Sequence, residues 1–170
     1  MAEKVMKYAD DILDIQDFQV ISYKGKEPFQ IRNKIEEIMK KELEINGAKF
    51  FLHTIGWDTN DGAFKAEWHA YRSYDRWTKV WYFVRIWGWQ NLTPDKEGWA
   101  KIKTWAEIHT EYTYSNSIQK SLWWTYSYMF YDKNRRKSLE DARERYFRII
   151  EDIRQLYGMS QKHTAEAAHI

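Results

Sequence analysis

Cysteine is absent from the 170 residues of this chain. Disulfide bonds, thiolate nucleophiles and cysteine-ligated zinc are therefore excluded. Without disulfides that would indicate an oxidising compartment, a reducing cytosol is the expected location. No stretch approaches the ~20 consecutive apolar residues that a spanning helix requires, and the N-terminal segment MAEKVMKYADDILD is too acidic for a signal peptide. We therefore expect a soluble, cytoplasmic protein with no membrane partner.

An excess of one charge is also missing. Lys and Arg number 27 against 25 Asp and Glu, and the two signs are mixed along the chain. Dedicated nucleic-acid binders carry a basic face, so we expect no nucleic-acid partner. The chain has neither a glycine-rich phosphate loop nor a G-x-S-x-G elbow. Acid–base chemistry by paired glutamates stays an open alternative, but we expect a non-catalytic protein without a cofactor.

Aromatic residues, in contrast, are abundant. The chain has ten Trp, twelve Tyr and eight Phe, and four of the tryptophans fall in the segment 77–89, WTKVWYFVRIWGW. One aromatic ring buries roughly 150–250 Å² when it is packed, so the rings exceed what one small core needs. Some of them should line a cavity or an interface.

Hydrophobic periodicity divides the chain into helices and strands. A weak helical pattern covers 3–15, and stronger patterns cover 28–46 and 139–157, where Ser138 begins a capping box. Alternation of period two, which is typical of strands, covers these segments: 17–23, 48–57, 63–74, 77–90, 99–114 and 118–131. The DTNDG segment before the strand at 63–74 predicts a hairpin in which Gly62 takes a left-handed conformation.

The segment 118–131 fits two interpretations. Ile118, Leu122, Tyr126 and Met129 would lie on one face of a helix. Its Trp, Tyr, Thr and Phe content favours a strand instead, and a strand is the assignment we adopt.

These elements predict a single α+β domain over residues 1–158. Short loops join its strands into an antiparallel meander of five to six strands. The helix in the N-terminal half and the long C-terminal helix should pack on one face of this sheet. The remaining residues, 159–170, have no buried periodicity and predict a flexible tail.

The order strand, helix, antiparallel meander, long C-terminal helix resembles the helix-grip fold of the START and SRPBCC superfamily. The resemblance covers roughly residues 17–158 and rests on element order. It implies a curved sheet around the C-terminal helix with an apolar ligand held between them. Because no diagnostic motif accompanies the element order, no residue roles are carried over from the superfamily.

Alternation within the strands predicts a helix-facing set that combines small side chains with large rings. The small residues either let the helix sit close to the sheet or leave space that the rings enclose as a pocket. The predicted ligand-binding residues are Trp68, Ala70, Tyr82, Val84, Thr104, Ala106, Trp124 and Tyr128. They predict a protein that binds a small apolar or aromatic molecule between the sheet and the C-terminal helix.

The opposite face of the strands mixes aromatic and charged residues. Trp, Tyr and Arg are enriched in interfaces, so we expect the protein to form a homo-oligomer through this face. An alternative function is therefore a homo-oligomeric structural or interaction module. The predicted interface residues are Trp81, Phe83, Arg85, Trp87 and Trp105. A sugar-binding platform is a further interpretation of the same rings and carboxylates.

Histidines and glutamates also alternate on these strands, a pattern that suits zinc, iron or manganese. The candidate metal ligands are His53, Glu67, His69, Glu107, His109 and Glu111. Lys65, Lys101 and Lys103 share their strand faces, which is typical of a solvated face with cross-strand ion pairs. We therefore expect no intrinsic metal.

Overall fold

The computed structural model describes residues 4–13 and 17–159 of the chain. In this part, one six-stranded antiparallel sheet is combined with three α-helices, which is the α+β class that the sequence predicts. The strands are β1 Lys4–Asp11, β2 Gln19–Lys26, β3 Phe50–Trp57, β4 Ala63–Ser73, β5 Thr78–Gln90 and β6 Glu97–Tyr114. The helices are α1 Ile35–Leu43, α2 Ser117–Tyr126 and α3 Asp132–Leu156. The predicted tail lies outside the described residues beyond Met159.

Strands β3 to β6 form the predicted meander, each paired with the next. Gly62 has φ 80°, as the hairpin signal before β4 requires. A Cβ atom at this position would also lie 2.1 Å from the carbonyl oxygen of Gln90, so only glycine fits there.

The long strand β6 carries two partners on its outer edge. β2 pairs with its first half, from Gln19 opposite Thr104, and β1 pairs with its second half, ending at Asp11 opposite Glu107. Directly after β1, the Ile12 amide donates to the Ala106 carbonyl of β6 at 3.1 Å, and the Ile12 side chain is fully buried in the core. The Ile12 carbonyl accepts a 3.0 Å hydrogen bond from Arg143 Nε on α3.

The helix predicted over 3–15 is wrong in its described part, which is strand β1. The exposed second half of β6 offers unpaired backbone groups along an edge, and pairing satisfies them. That partner is about a hundred residues away in sequence, so the local pattern carried no signal of it.

The strand predicted over 118–131 is also wrong, because these residues form α2 and a π-helical turn, Ser127–Tyr131. β1 already occupies the edge of β6 that a further meander strand would need. Asn116 caps the helix, since its side-chain oxygen accepts a 2.8 Å hydrogen bond from the Gln119 amide. The segment therefore forms a helix despite the strand propensity of its aromatic residues, because β1 occupies the edge of β6 and Asn116 caps the helix.

The other two helices lie where the sequence predicts them, with different ends. α1 ends at Leu43, because Glu44 takes a left-handed conformation with φ 52°. A short 3-10 segment, Gln30–Asn33, precedes α1. α3 begins before the predicted capping box, and the Ser138 hydroxyl instead donates to the Asn134 carbonyl within the helix.

Helices α1 and α3 cover one face of the sheet, which we call the inner face. Its strand residues alternate with exposed or half-buried neighbours and form one core with the apolar sides of both helices. Arg145 on α3 joins the two helices. Its guanidinium donates to the Glu42 carbonyl at 2.7 Å and to Asp141 at 2.8 Å. The opposite face of the sheet, the outer face, is the one that bears the predicted interface residues.

Candidate functional site

A cavity of about 280 Å³ lies at the end of the sheet, between β1, β6 and the π-helical turn. Turns of π-helix inside α-helices are frequent at functional sites, and this one joins α2 directly to α3. The cavity is lined by Tyr8, Thr110, Tyr112, Trp124, Ser127, Tyr128, Tyr131, Asp132 and Arg135. We call it the Tyr112 cavity, after the buried tyrosine in its wall.

One side of the Tyr112 cavity is a connected polar network. The Tyr131 hydroxyl donates to Asp75 at 2.5 Å and also contacts the Thr78 hydroxyl. Thr78 in turn lies 2.9 Å from the hydroxyl of Thr110. Burial, followed by the bond to Asp75, raises the pKa of Tyr131. This network fixes the orientation of the groups behind the cavity wall.

Two other hydroxyls at the cavity have no such network. Tyr112 is fully buried, and neither its hydroxyl nor that of Ser127 has a hydrogen-bond partner in the described part of the chain. Burial raises the pKa of Tyr112, and the Ser127 hydroxyl, which lies near it but outside hydrogen-bonding geometry, opposes that rise. A buried polar group without a partner costs about 1–3 kcal/mol, so a ligand atom that paired with either hydroxyl would recover that free energy.

The cavity contains one cation, Arg135, whose charge is already balanced. Arg135 Nε donates to the Thr110 hydroxyl at 3.2 Å, and Nη2 lies 2.5 Å from a carboxylate oxygen of Asp10. The charge therefore does not favour an anionic ligand over a neutral one.

Aromatic rings form the remaining walls. Trp124 and Tyr128 lie parallel, with ring centroids 6.0 Å apart, on the solvent side of the cavity. On the inner side Tyr112 stacks on Trp123 at 4.7 Å and meets Tyr8 edge to face at 6.4 Å. Apolar walls with a few convergent polar groups are the usual composition of a small-molecule site.

The predicted ligand-binding residues fall into two separate places. Trp124 and Tyr128 line the Tyr112 cavity. The other six are buried together on the inner face: Trp68, Ala70, Tyr82, Val84, Thr104 and Ala106. There the space is occupied by α3, whose Tyr146 hydroxyl lies 2.9 Å from that of Thr104 and whose Ala142 carbonyl lies 3.5 Å from the Tyr82 hydroxyl.

The predicted interface residues all lie on the outer face. Phe83 and Trp105 stack across β5 and β6 at 4.8 Å, and Arg85 lies 5.4 Å from the Trp105 ring. Arg85 also pairs with Glu67 at 2.7 Å. Trp81 lies beside them, in an open groove of about 600 Å³, and Trp87 lies further along β5.

The candidate metal ligands do not converge. Within residues 4–13 and 17–159, no three His, Asp or Glu side chains are placed to hold a metal ion. His109 pairs with Glu107 at 2.9 Å, whereas His69 lies two strands away, 6.0 Å from the ring of His53. Burial, followed by the proximity of His53, lowers the pKa of His69.

The sequence does not predict most of the Tyr112 cavity. Five of its residues lie in segments whose patterns predict a helix, the end of a strand or a further strand: Tyr8, Thr110, Tyr112, Ser127 and Tyr131. One signal was present: the run from Trp123 to Tyr131 is rich in rings interrupted by Ser and Thr. On a helix, that composition places hydroxyls between aromatic walls.

Comparison with known proteins adds little to this geometry. No family model matches the chain, and no curated protein matches it. Among solved structures, the chain is similar to an uncharacterised protein from Rhizobium leguminosarum at 10% sequence identity. That match covers 86% of this chain and 99% of the other, with a TM-score of 0.22.

Proposed function

We propose that this protein is a non-catalytic binding protein, which holds a small, mainly apolar molecule in the Tyr112 cavity. The observation that carries the proposal is the pair of buried hydroxyls, Tyr112 and Ser127, without partners in the cavity wall. Most buried polar groups in proteins are hydrogen-bonded. A ligand that bears a hydroxyl or a carbonyl group would supply the missing partner.

The cavity limits the size and charge of this molecule. Its volume of about 280 Å³ is just below the range of ligand pockets, which run from roughly 300 to 1,000 Å³, so the molecule must be small. Rings at Tyr8, Trp124 and Tyr128 favour a flat or cyclic apolar body. Because Asp10 balances the charge of Arg135, a neutral molecule fits better than an ion.

The proposed ligand belongs to the class that the sequence suggests, but the proposed binding site is the Tyr112 cavity and not the space between the sheet and the middle of α3. The pocket lies at the end of the sheet, where the helical run enters α3, rather than beneath the middle of α3. Kinship with the helix-grip superfamily remains a proposal, supported by a long C-terminal helix across one face of an antiparallel sheet. A cytoplasmic location is likewise a proposal, supported by the absence of cysteine.

Native mass spectrometry and a thermal-shift screen test the proposal. The screen uses small neutral compounds with one polar group: phenol, p-cresol, indole and cyclohexanol. A compound at 100 times its Kd should stabilise the protein by about 2.7 kcal/mol. If nothing co-purifies and none of the four compounds raises the melting temperature, the proposal fails.

A matched pair of variants assigns any binding to the cavity. Ser127→Leu fills the cavity wall and should abolish the thermal shift. Ser121→Leu makes the same change six residues earlier on α2, at an exposed position outside the cavity, and should leave the shift intact. Equal shifts in both variants would place the binding elsewhere.

A second candidate function is self-association through the outer face. It is favoured by rings that remain exposed there, since Trp89 and Trp99 are 38% and 42% exposed. Trp81→Ser combined with Trp87→Ser should then shift the sedimentation coefficient from that of an oligomer to that of a monomer. A wild-type protein that sediments as a monomer at tens of micromolar, the range of a weak interface, would rule this candidate out.

A further inference from the structure

Helix α2 and the π-helical turn expose an unusual number of large apolar side chains. They are between 61% and 78% exposed, and they are Ile118, Leu122, Trp124, Tyr128 and Met129. Two of the five are aromatic, and monomeric proteins rarely expose contiguous apolar patches larger than a few hundred Å². We call this surface the α2 ridge.

The ridge continues without a break into a basic segment. Ser127 and Asp132 both have right-handed helical backbone angles, so α2, the π-helical turn and α3 form one continuous helical run. Residues four apart share a side of a helix. Exposed Lys133 and Lys137 follow Met129 at successive intervals of four, and therefore extend the side of the helical run that bears Met129.

The charge of this run is strongly one-sided. From Tyr112 to Leu139 the only acidic residue is Asp132, which pairs with Arg136 at 3.0 Å. The basic residues of the same stretch are Lys120, Lys133, Arg135, Arg136 and Lys137. Arg135 and Arg136 are paired with Asp10 and Asp132, so the positive charge beside the ridge comes from Lys120, Lys133 and Lys137.

We propose that the α2 ridge docks on the surface of a membrane that contains anionic lipids. Trp and Tyr are the residues that favour the boundary between acyl chains and headgroups, and helices that lie in this boundary combine an apolar face with Lys and Arg. No helix in the described residues is long and apolar enough to cross a membrane. We expect the ridge to lie along the surface, with its rings at the headgroup boundary and the lysines near the anionic headgroups.

A second copy of the chain is the competing occupant. In an antiparallel pair of ridges, Lys133 and Lys137 would face the partner's α2, which contains Lys120 and no acidic residue. A parallel pair would place the lysines against each other. Charge complementarity is therefore available from anionic headgroups and is missing between two ridges.

Vesicle flotation tests the docking. The full-length protein is mixed with vesicles of phosphatidylcholine alone or with 30% phosphatidylserine, which are then floated through a density gradient. We expect flotation with the mixed vesicles, weaker flotation with phosphatidylcholine, and a decrease as salt is added. The triple variant I118S/L122S/M129S should no longer float. None of its three positions lines the Tyr112 cavity.

A matched control removes three other exposed aliphatic side chains, which are 51–54% exposed and remote from α2: L52S/I55S/L92S. This control should float like the wild type, and circular dichroism should confirm that both triple variants are folded. Lys133→Gln with Lys137→Gln should weaken binding to the mixed vesicles by about five-fold per lysine.

Three results would overturn the proposal. The first is a wild-type protein that floats with neither vesicle composition. The second is flotation that I118S/L122S/M129S retains in full. The third is a wild-type dimer in sedimentation velocity that the same triple variant converts to a monomer, which would assign the ridge to a second copy.

Discussion

The sheet meets the helices in two places, under the middle of α3 and beneath the π-helical turn, and the buried hydroxyls differ between them. Under α3, the Tyr146 hydroxyl donates to the Thr104 carbonyl at 3.0 Å. It can then accept a bond from the Thr104 hydroxyl, 2.9 Å away. Beneath the π-helical turn, the Tyr112 and Ser127 hydroxyls are buried and have no hydrogen-bond partner among the described residues.

The region under α3 is thus a filled core, whereas the region beneath the π-helical turn contains an open cavity. Both regions combine Tyr and Thr with small or apolar neighbours, so composition alone does not distinguish them. What distinguishes them is whether side chains of the protein occupy the space and satisfy the polar atoms. The region under α3 meets both conditions, whereas the Tyr112 cavity keeps open space and, among the described residues, leaves the Tyr112 and Ser127 hydroxyls without partners.

The largest expected effect is in the core. Ile102 on the inner face is fully buried, so Ile102→Ala should lower the free energy of unfolding by about 2–5 kcal/mol. Ile118→Ala on the α2 ridge, where the side chain is 74% exposed, should change it by no more than about 0.5 kcal/mol. Urea denaturation of both variants measures the contrast, and equal losses would contradict the placement of Ile118.

Enlarging a small residue tests whether the core has free space. Ala106 is 1% exposed beneath α3, and Ala106→Leu should destabilise the protein by about 1–3 kcal/mol through overpacking. Unchanged or higher stability would mean that space exists between the sheet and α3. That result would restore the central pocket that the sequence predicts.

Removing single hydroxyls compares the two tyrosines directly. Tyr146→Phe should cost about 0.5–1.5 kcal/mol, because it removes a satisfied hydrogen bond. Tyr112→Phe removes a hydroxyl without a partner, so stability should be unchanged or higher. A loss from Tyr112→Phe as large as that from Tyr146→Phe, measured by urea denaturation, would contradict the difference between the regions.

A further expected effect is on alkaline stability. Burial raises the pKa of Tyr146 to about 12, against about 10 for an unfolded tyrosine. The folded state therefore keeps a proton that the unfolded state loses, and stability falls as pH rises from about 10 to 12. In Tyr146→Phe this fall should be shallower, since the other buried tyrosines still contribute. Equal falls in urea midpoint between pH 9 and pH 11 would show that Tyr146 does not contribute.

The sequence predicted the parts of the fold that local periodicity determines. Alternation in β4, β5 and β6 separated the inner-face residues from Trp81, Phe83 and Trp105 on the outer face, because a strand turns successive side chains to opposite sides. Local periodicity predicted the wrong secondary structure for β1 and α2. Whether each of these segments forms a strand or a helix depends on which of them occupies the edge of β6. The pairing of β1 with β6 joins residues about a hundred positions apart, so the local sequence pattern of neither segment indicates it.

The candidate site was less predictable than the fold for the same reason. Its wall combines Tyr8 from β1, Tyr112 from β6 and Arg135 from α3, and two of these elements were wrong or mislocated at the sequence level. Trp124 and Tyr128 were identified as ligand-binding residues on the assumption of a strand, and lie at the cavity on a helix instead. Whether a buried hydroxyl has a partner depends on three-dimensional packing, which periodicity does not report.

An amide NMR titration with the compound that gives the largest thermal shift tests the central claim most directly, because it reports both regions in one experiment. The account predicts saturable shifts at Thr110, Tyr112, Ser127 and Arg135, with Ala70 and Ala106 unchanged. Saturable shifts centred on Ala70 and Ala106, with Tyr112 and Ser127 unchanged, would contradict it.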